Sequence, residues 1–254
     1  MNIKMIALDL DDTLLRDDKT VSGRTLATLA KCRDKGIKVI YATARGPSAD
    51  SLVSPELFDG TVKMCGAVAY VGDLPVHRQL ISTIDSKDFI LAVCSANIQI
   101  AVEVDGWTYS NFSFSDDWDP IFFDSYKVTD FNSFTKEVEK IWAMPVSDDE
   151  IDLIKQHLPE GLYMTVARND NFTMIMREDT NKMNAINALA EHWGIKSTEI
   201  VAFGDDVIDI DMLRHCGIGV AMGNAVDEVK AVANQICDTN ENDGVAKWLE
   251  EHVL

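Results

Sequence analysis

The chain enters on an apolar run, Met5-Ile6-Ala7-Leu8, with no polar position inside it. A strand buried on both faces has this composition, and such strands sit inside parallel sheets. The same rhythm continues downstream. Ser22 is placed to cap a helix that carries Leu26, Leu29 and Ala30 and stops at Gly36. Residues 37–42 form a second apolar strand, Pro47 is placed to start another helix, and residues 62–64 read as a third strand. Short apolar strands spaced by helices predict a doubly wound parallel sheet.

Between residues 81 and 179 the period changes. A helical stretch over 89–95 leads into Ile98, Ile100, Val102 and Val104 at strict alternation, and Asp105-Gly106 then turns the chain into 107–110 as a hairpin. A similar arrangement follows. Ser147-Asp148-Asp149-Glu150 reads as a capping box opening a helix with Ile151 and Ile154. Strands over 162–167 and 172–177 flank a turn at Asn169-Asp170. Alternating strands with helices predict an α+β module with one open sheet face. From Asn181 the first rhythm returns: a helix bearing Ile186, Leu189, Ala190 and Trp193 stops at Gly194. Strands over 200–203, 217–221 and 236–237 follow, and Val245, Trp248 and Leu249 mark a closing helix. The fold expected is α/β: a Rossmann-like doubly wound core over 1–80 and 180–254, with an α+β cap inserted over 81–179.

Chemistry enters at the end of the first strand. Asp9 and Asp11 follow it directly, and ligands of parallel sheets bind where the carboxyl ends of the strands emerge. Spacing of two keeps both side chains on one side of the chain. A calcium loop does not fit, because Leu14 stands where Gly is needed and Thr20 where Glu is needed. Thr43, Lys182 and the pair Asp205/Asp209 are expected at the same edge. Taken alone, Thr43 reads as a helix N-cap, and Asp205 and Asp206 as caps of the next helix. Lys182 is different. In the first turn of a helix a cation opposes the macrodipole at a cost of about 0.3–1 kcal/mol, so a lysine there makes sense facing an anion. Gly217-Ile218-Gly219 with Gly223 has the wrong spacing for a dinucleotide fingerprint.

Charge narrows the partners. The 254 residues carry a formal net charge of -19, which argues against nucleic acid. A phosphate-using site in such a chain must recruit a divalent cation or concentrate its few basic residues. Five cysteines, scattered and without a Cys-x-x-Cys, fit reduced thiols better than a disulfide framework or a zinc site. His192 and His215 fall near helix ends, where a surface or capping role suffices. No apolar run has the length of a membrane span and no signal-peptide hydrophobic region is present, so the cytoplasm is the expected location and no membrane partner is expected.

Taken in order, the motifs resemble the haloacid dehalogenase-like (HAD) hydrolase superfamily, in its Cof-type class IIB sugar-phosphatase-like branch. They are Asp-x-Asp-x-Thr at 9–13, Ala-Thr-x-Arg at 42–45, Lys182, Gly-Asp-x-x-x-Asp at 204–209, Ala-Met-Gly-Asn-Ala at 221–225 and Asp-Gly-Val-Ala at 243–246. The insertion between Thr43 and Lys182 lies where this branch carries its cap. The resemblance implies a phosphatase acting on a small phosphorylated metabolite through an aspartyl-phosphate. Asp9 would be the nucleophile, and Asp11 would protonate the leaving alcohol and later deprotonate the attacking water. Mg²⁺ would be held by the carboxylates of Asp9 and Asp205 and the backbone carbonyl of Asp11, with Asp209 and Asp206 holding its waters. The Thr43 hydroxyl, the N–H groups of Leu10 and Ala44, and Lys182 would hold the transferring oxygens. A neighbouring carboxylate is expected to disfavour ionisation of Asp11. In the cap, Trp107, Tyr109, Trp118 and Arg168 are candidate leaving-group contacts.

Three positions depart from that pattern. Ala44 stands for the usual Gly, Cys65 for the usual Asn, and Ile208 for an Asn that in relatives contacts phosphate. A hydrogen bond to a charged group is worth roughly 1.5–3 kcal/mol, so Ile208 would slow the reaction without removing its nucleophile, acid or metal ligands. A phosphomutase is the alternative enzyme. A phospholigand-binding protein with decayed catalysis is the alternative outside enzymes, and Ile208 alone favours it.

Overall fold

The structure is a computed structural model that describes residues 2–113, 125–167 and 171–254. The cap candidates Trp118 and Arg168 and the turn at Asn169-Asp170 lie outside the described residues. In chain order the elements are β1 (Met5–Leu8), α1 (Gly23–Asp34), β2 (Lys38–Ala42), α2 (Ala49–Leu52), β3 (Gly60–Lys63), β4 (Val68–Val71) and β5 (Leu74–Arg78). Then come α3 (Thr83–Ser95), β6 (Gln99–Val104), β7 (Trp107–Ser110), β8 (Tyr126–Val128), β9 (Lys140–Met144), α4 (Asp148–His157), β10 (Leu162–Ala167) and β11 (Phe172–Arg177). The chain finishes with α5 (Lys182–His192), β12 (Ile200–Gly204), α6 (Ile210–His215), β13 (Ile218–Ala221), α7 (Asp227–Val232), β14 (Gln235–Ile236) and α8 (Gly244–His252). They fall into two compact units, one of residues 1–45, 49–78 and 181–254 and the other of 46–48 and 79–180.

The first unit holds an eight-stranded sheet of order β14-β13-β12-β1-β2-β3-β4-β5, parallel from β14 through β3. All four residues of β1 are fully buried, which is what its unbroken apolar run predicts. Leu29 of α1, Ile186 and Leu189 of α5, Met212 and Leu213 of α6 and Leu249 of α8 join the strands in one apolar cluster. The antiparallel hairpin β4–β5 extends the sheet. Pro47 does not start a helix; it lies with Ser48 in a turn, and α2 begins two residues later as a single helical turn.

In the second unit the sheet order is β10-β11-β9-β6-β7-β8, antiparallel except for the β7–β8 pair. Phe89 and Val93 of α3 and Ile154 of α4 pack with Ile100, Val102, Ile141 and Ile175 in a second apolar cluster. The hairpin at Asp105-Gly106 forms as expected, both residues having positive φ. At the predicted capping box Ser147 caps α4 by accepting from Glu150 N, but Glu150 Oε2 accepts from Val146 N, one residue beyond the Ser147 N–H that a reciprocal box would use. The opposite face of this sheet is not an open polar face. Ala101, Glu103 and Trp142 are buried on it, with Phe112, Tyr126, Met144 and Phe172 around Trp142. Among the described residues no helix is long and apolar enough to cross a membrane.

Candidate active site

Register places the predicted chemistry side by side. Leu8 pairs with Tyr41 on β2 and Phe203 on β12, so Asp9, Thr43 and Asp205 leave adjacent parallel strands at the same carboxyl edge. The ladder continues one bond further on each side: Asp9 N donates to Phe203 O at 3.0 Å, and Thr43 N donates to Val62 O at 2.9 Å.

Lys182 ties this edge together from α5. Asn181 caps that helix by accepting from Asn184 N. The Lys182 side chain, 1% exposed, lies 2.5 Å from Asp9 Oδ1 and 2.6 Å from Asp209 Oδ1. The anion expected opposite this lysine is therefore a pair of the protein's own carboxylates. Burial would lower the Lys182 pKa, but Asp209 and Asp9 outweigh it and hold the ammonium above its ordinary value. The approach of α5 depends on Gly66. A β-carbon there would stand 2.1 Å from Asn181 O, and Gly66 has φ +105 in a run of three positive-φ residues with Met64 and Cys65.

Asp209 has a second task. Its Oδ2 accepts from Asp205 N at 3.0 Å and Asp206 N at 3.2 Å, so the turn after β12 folds around it. That turn is tight: a β-carbon on Gly204 would be 2.5 Å from Asp209 Cβ. Asp206 is exposed and accepts from Val207 N at 2.7 Å, so it caps the short 3₁₀ turn Val207–Asp209. Asp205 does not cap. It accepts from Thr13 Oγ at 2.8 Å, linking the loop after β1 to the loop after β12. Asn224 supports the same loop by donating to Asp12 O at 2.7 Å.

Asp9, Asp205 and Asp209 present one oxygen each within 4.8 Å of one another. Burial raises Asp9 well above the ordinary carboxylate value against the opposing pull of Lys182, with Asp209 and Asp205 adding to the rise. Burial, with the charges of Asp209, Asp12 and Asp206, pushes Asp205 up to about 7, the Thr13 hydroxyl pulling the other way. Three carboxylates around one ammonium leave two unmatched negative charges when all are ionised. An all-oxygen donor set with that excess fits a divalent cation such as Mg²⁺.

Asp11 stands apart from this cluster. Arg45 holds both of its oxygens, Nε to Oδ2 at 2.6 Å and Nη2 to Oδ1 at 2.8 Å, and Lys19 Nζ adds a contact to Oδ1 at 2.9 Å. The expectation that a neighbouring carboxylate keeps Asp11 protonated is therefore overturned. Burial raises its pKa, but hydrogen bonds from Arg45 and Lys19 outweigh that and bring it below the ordinary value. Thr43 is buried and caps no helix; its Oγ accepts from Arg45 N at 3.1 Å, which turns Ala44 and Arg45 around the strand end. Leu10, also buried, directly follows Asp9. Ile208 is half-buried in the turn between Asp205 and Asp209, and its neighbour Val207 is 52% exposed.

Three residues take part without a role assigned from sequence. Thr13 and Arg45 sit inside quoted motifs, so their types were visible and only their partners were not. Lys19 lies outside every motif, and a lone lysine in an acidic loop gives no signal of its target. The candidate contacts Trp107 and Tyr109 lie on β7, where Lys127 stacks over the Trp107 ring and Tyr109 packs edge-on to Phe134.

Comparison with known proteins places this arrangement in a group. The chain is 29% identical over 275 residues to the 5-amino-6-(5-phospho-D-ribitylamino)uracil phosphatase YitU of Bacillus subtilis, covering 98% of this chain and 97% of the relative. It is 27% identical over 278 residues to the pyridoxal phosphate phosphatase YbhA of Escherichia coli, covering the whole of both. Among solved structures, BT1666 of Bacteroides thetaiotaomicron, described among phosphatases of the haloalkanoate (HAD) enzyme superfamily, superposes with a TM-score of 0.80 at 28% identity. That match covers 98% of this chain and 94% of the other. The haloacid dehalogenase-like hydrolase profile matches residues 6–249, and the chain belongs to that family.

Proposed function

We propose that the protein is a phosphatase for a small phosphorylated metabolite and works through an aspartyl-phosphate on Asp9. The observation that carries this reading is the buried Asp9 carboxylate, fixed at the sheet edge by Lys182 and flanked by Asp205 and Asp209. Relatives named as phosphatases of a ribitylaminouracil phosphate and of pyridoxal phosphate support the substrate class.

An Asp9 oxygen attacks phosphorus and the bond from phosphorus to the ester oxygen breaks. Asp11, released from Arg45 and Lys19 and carrying a proton, gives that proton to the departing alkoxide. Water then attacks the phosphorus of the aspartyl-phosphate and passes a proton to Asp11. The bond from phosphorus to Asp9 breaks, which frees inorganic phosphate and restores the carboxylate. The Thr43 hydroxyl, the N–H groups of Leu10 and Ala44, and the Lys182 ammonium hold the phosphoryl oxygens. Asp9, Asp205 and the Asp11 carbonyl would hold Mg²⁺, with Asp206 and Asp209 around it, and the bound ion would supply the charge neutralisation that lets two anions meet. Residues 1–80 and 180–254 form the catalytic core in this reading, and 81–179 the inserted cap.

The test is phosphate release from p-nitrophenyl phosphate and a panel of phosphorylated metabolites. Activity should require Mg²⁺, vanish in EDTA, and be absent from a folded Asp9→Asn variant, whose amide cannot attack phosphorus. Undiminished turnover in that variant ends the aspartyl-phosphate reading.

A further inference from the structure

A cavity of about 360 Å³ opens within the second unit, between the last turn of α3, the start of β6 and the segment that follows β8. Its size lies in the range of small-molecule sites. At roughly 30 Å³ of liquid each, about a dozen water molecules would fill it. Every residue that lines it belongs to this unit, so it shares none with the carboxylate cluster of Asp9, Asp205 and Asp209.

The walls are fixed by hydrogen bonds of their own. Asn111 Oδ1 accepts from Ile100 N at 2.9 Å, and its Nδ2 donates to Ile98 O at 2.9 Å and to Cys94 Sγ at 3.6 Å. One amide thus braces β6 against the end of α3 and is used up in doing so. The segment after β8 is held in the same way. Thr129 N donates to Ser110 O at 2.7 Å, and Asp130 Oδ1 accepts from Asn132 N at 2.9 Å and Asn132 Nδ2 at 2.8 Å. A cavity braced on both sides is formed before a ligand arrives, which lowers the cost of binding.

The lining selects by charge. Leu91 and Phe112 are half-buried and Phe131 is buried, which gives an apolar patch. Beside it stand the Gln99 amide and the Thr129 hydroxyl, neither with a hydrogen-bond partner among the described residues, each able to donate and to accept. No lysine or arginine lines the cavity, and Asp130 is its one charged residue. Hydrogen bonds from Asn132 hold the Asp130 carboxyl below its ordinary value, so it stays ionised. An anion entering here meets a carboxylate and no counter-charge. A neutral molecule rich in hydroxyls finds donors, acceptors and an apolar surface for its C–H groups.

We propose that this cavity binds an uncharged polyhydroxylated molecule, a free sugar or polyol, with Gln99 and Thr129 as its hydrogen-bonding contacts. The site stands whether or not the phosphatase reading does, because none of its residues takes part in that chemistry.

The experiment uses saturation-transfer NMR on the full chain in EDTA with three molecules of one carbon frame: neutral sorbitol, anionic gluconate and cationic glucamine. Sorbitol should receive saturation from the protein, and gluconate should receive little. The sorbitol Kd should rise about tenfold in Gln99→Leu/Thr129→Val, as two lost neutral hydrogen bonds imply, at a melting temperature equal to that of wild type. Thr129→Ser, which keeps the hydroxyl, should bind as wild type does. No transfer to sorbitol in wild type, or an unchanged Kd in the double variant, overturns the site. Gluconate binding as well as sorbitol, or glucamine binding better, overturns the assignment of a neutral ligand.

Discussion

Lys182 Nζ lies 2.6 Å from Asp209 Oδ1, with neither side chain more than 1% exposed. A charge pair this deep repays its desolvation only while both partners stay. Lys182→Met should therefore cost about 3–5 kcal/mol in urea unfolding, since it strands Asp209 and Asp9 together. Asp209→Asn should destabilise less, because the amide oxygen can still accept from Asp205 N and Asp206 N. The double variant should lose less than the sum of the two, the mark of residues acting as a unit. Additive losses would mean the pair is not coupled.

The raised Asp205 ties stability to pH. Its folded pKa of about 7 lies above the ordinary carboxylate value, so the folded state binds a proton that the unfolded state has released. The sign follows: in metal-free protein the contribution of Asp205 is present at low pH and is lost as pH rises toward and through 7. Melting temperature in EDTA should fall between pH 5 and 8 more steeply for wild type than for Asp205→Asn, where the group no longer titrates. Mg²⁺ should reverse the trend, since a cation that binds the ionised site stabilises by about 2.7 kcal/mol at one hundred times its Kd. If Mg²⁺ raises the melting temperature of Asp205→Asn as much as that of wild type, the ion binds elsewhere.

Gly66 controls the placement of Lys182. A methyl group at this residue would meet Asn181 O at 2.1 Å, and the obstacle is backbone rather than a movable side chain. Gly66→Ala also forces a positive φ on alanine, for about 1–2 kcal/mol before the clash is counted. The expected total is about 3 kcal/mol or more of lost stability. Phosphate release should drop further than the melting curve alone accounts for, because the start of α5 must shift with its lysine. Normal kcat in the fraction that folds would show that the Lys182 position tolerates the shift.

What the sequence discloses follows from what the physics repeats. The strands β1, β2 and β12 are buried on both faces and read as apolar runs, and α5 carries an Asn cap before a regular apolar stripe. Strand β9 of the second sheet is nearly as buried, but its apolar stretch Ile141–Met144 is short and follows the charged Glu139 and Lys140, both buried here. Those charges at its start hide it from apolar periodicity, and it goes unread, as do β4, β5 and β8. In the site, Asp9, Asp205, Asp209 and Lys182 declare themselves by type and by position after strands or at a helix start. The ionisation of Asp11 does not, because Arg45 and Lys19 reach it through a turn and a left-handed residue that no periodicity encodes.

Ile208 offers the sharpest test of the site. It stands in the turn that delivers Asp205 and Asp209, where members of this family usually place an asparagine. Its side chain is half-buried and Val207 beside it is 52% exposed, so an amide at this position retains access to water and is not forced into an apolar interior. Partial exposure makes packing a weak reason for the isoleucine, and the expectation is that its effect falls on the phosphoryl group, which would lack a donor here. Ile208→Asn should raise kcat/KM toward small phosphate esters by about tenfold, the factor that each 1.4 kcal/mol of transition-state stabilisation carries. Its melting temperature should stay within about 2 °C of wild type, since substitutions away from the core usually stay within about 0.5 kcal/mol. Kinetics and a thermal melt on one preparation decide the matter. A lower melting temperature with no gain in rate would assign Ile208 to packing and leave the phosphoryl oxygens to Thr43, Lys182 and the backbone of Leu10 and Ala44.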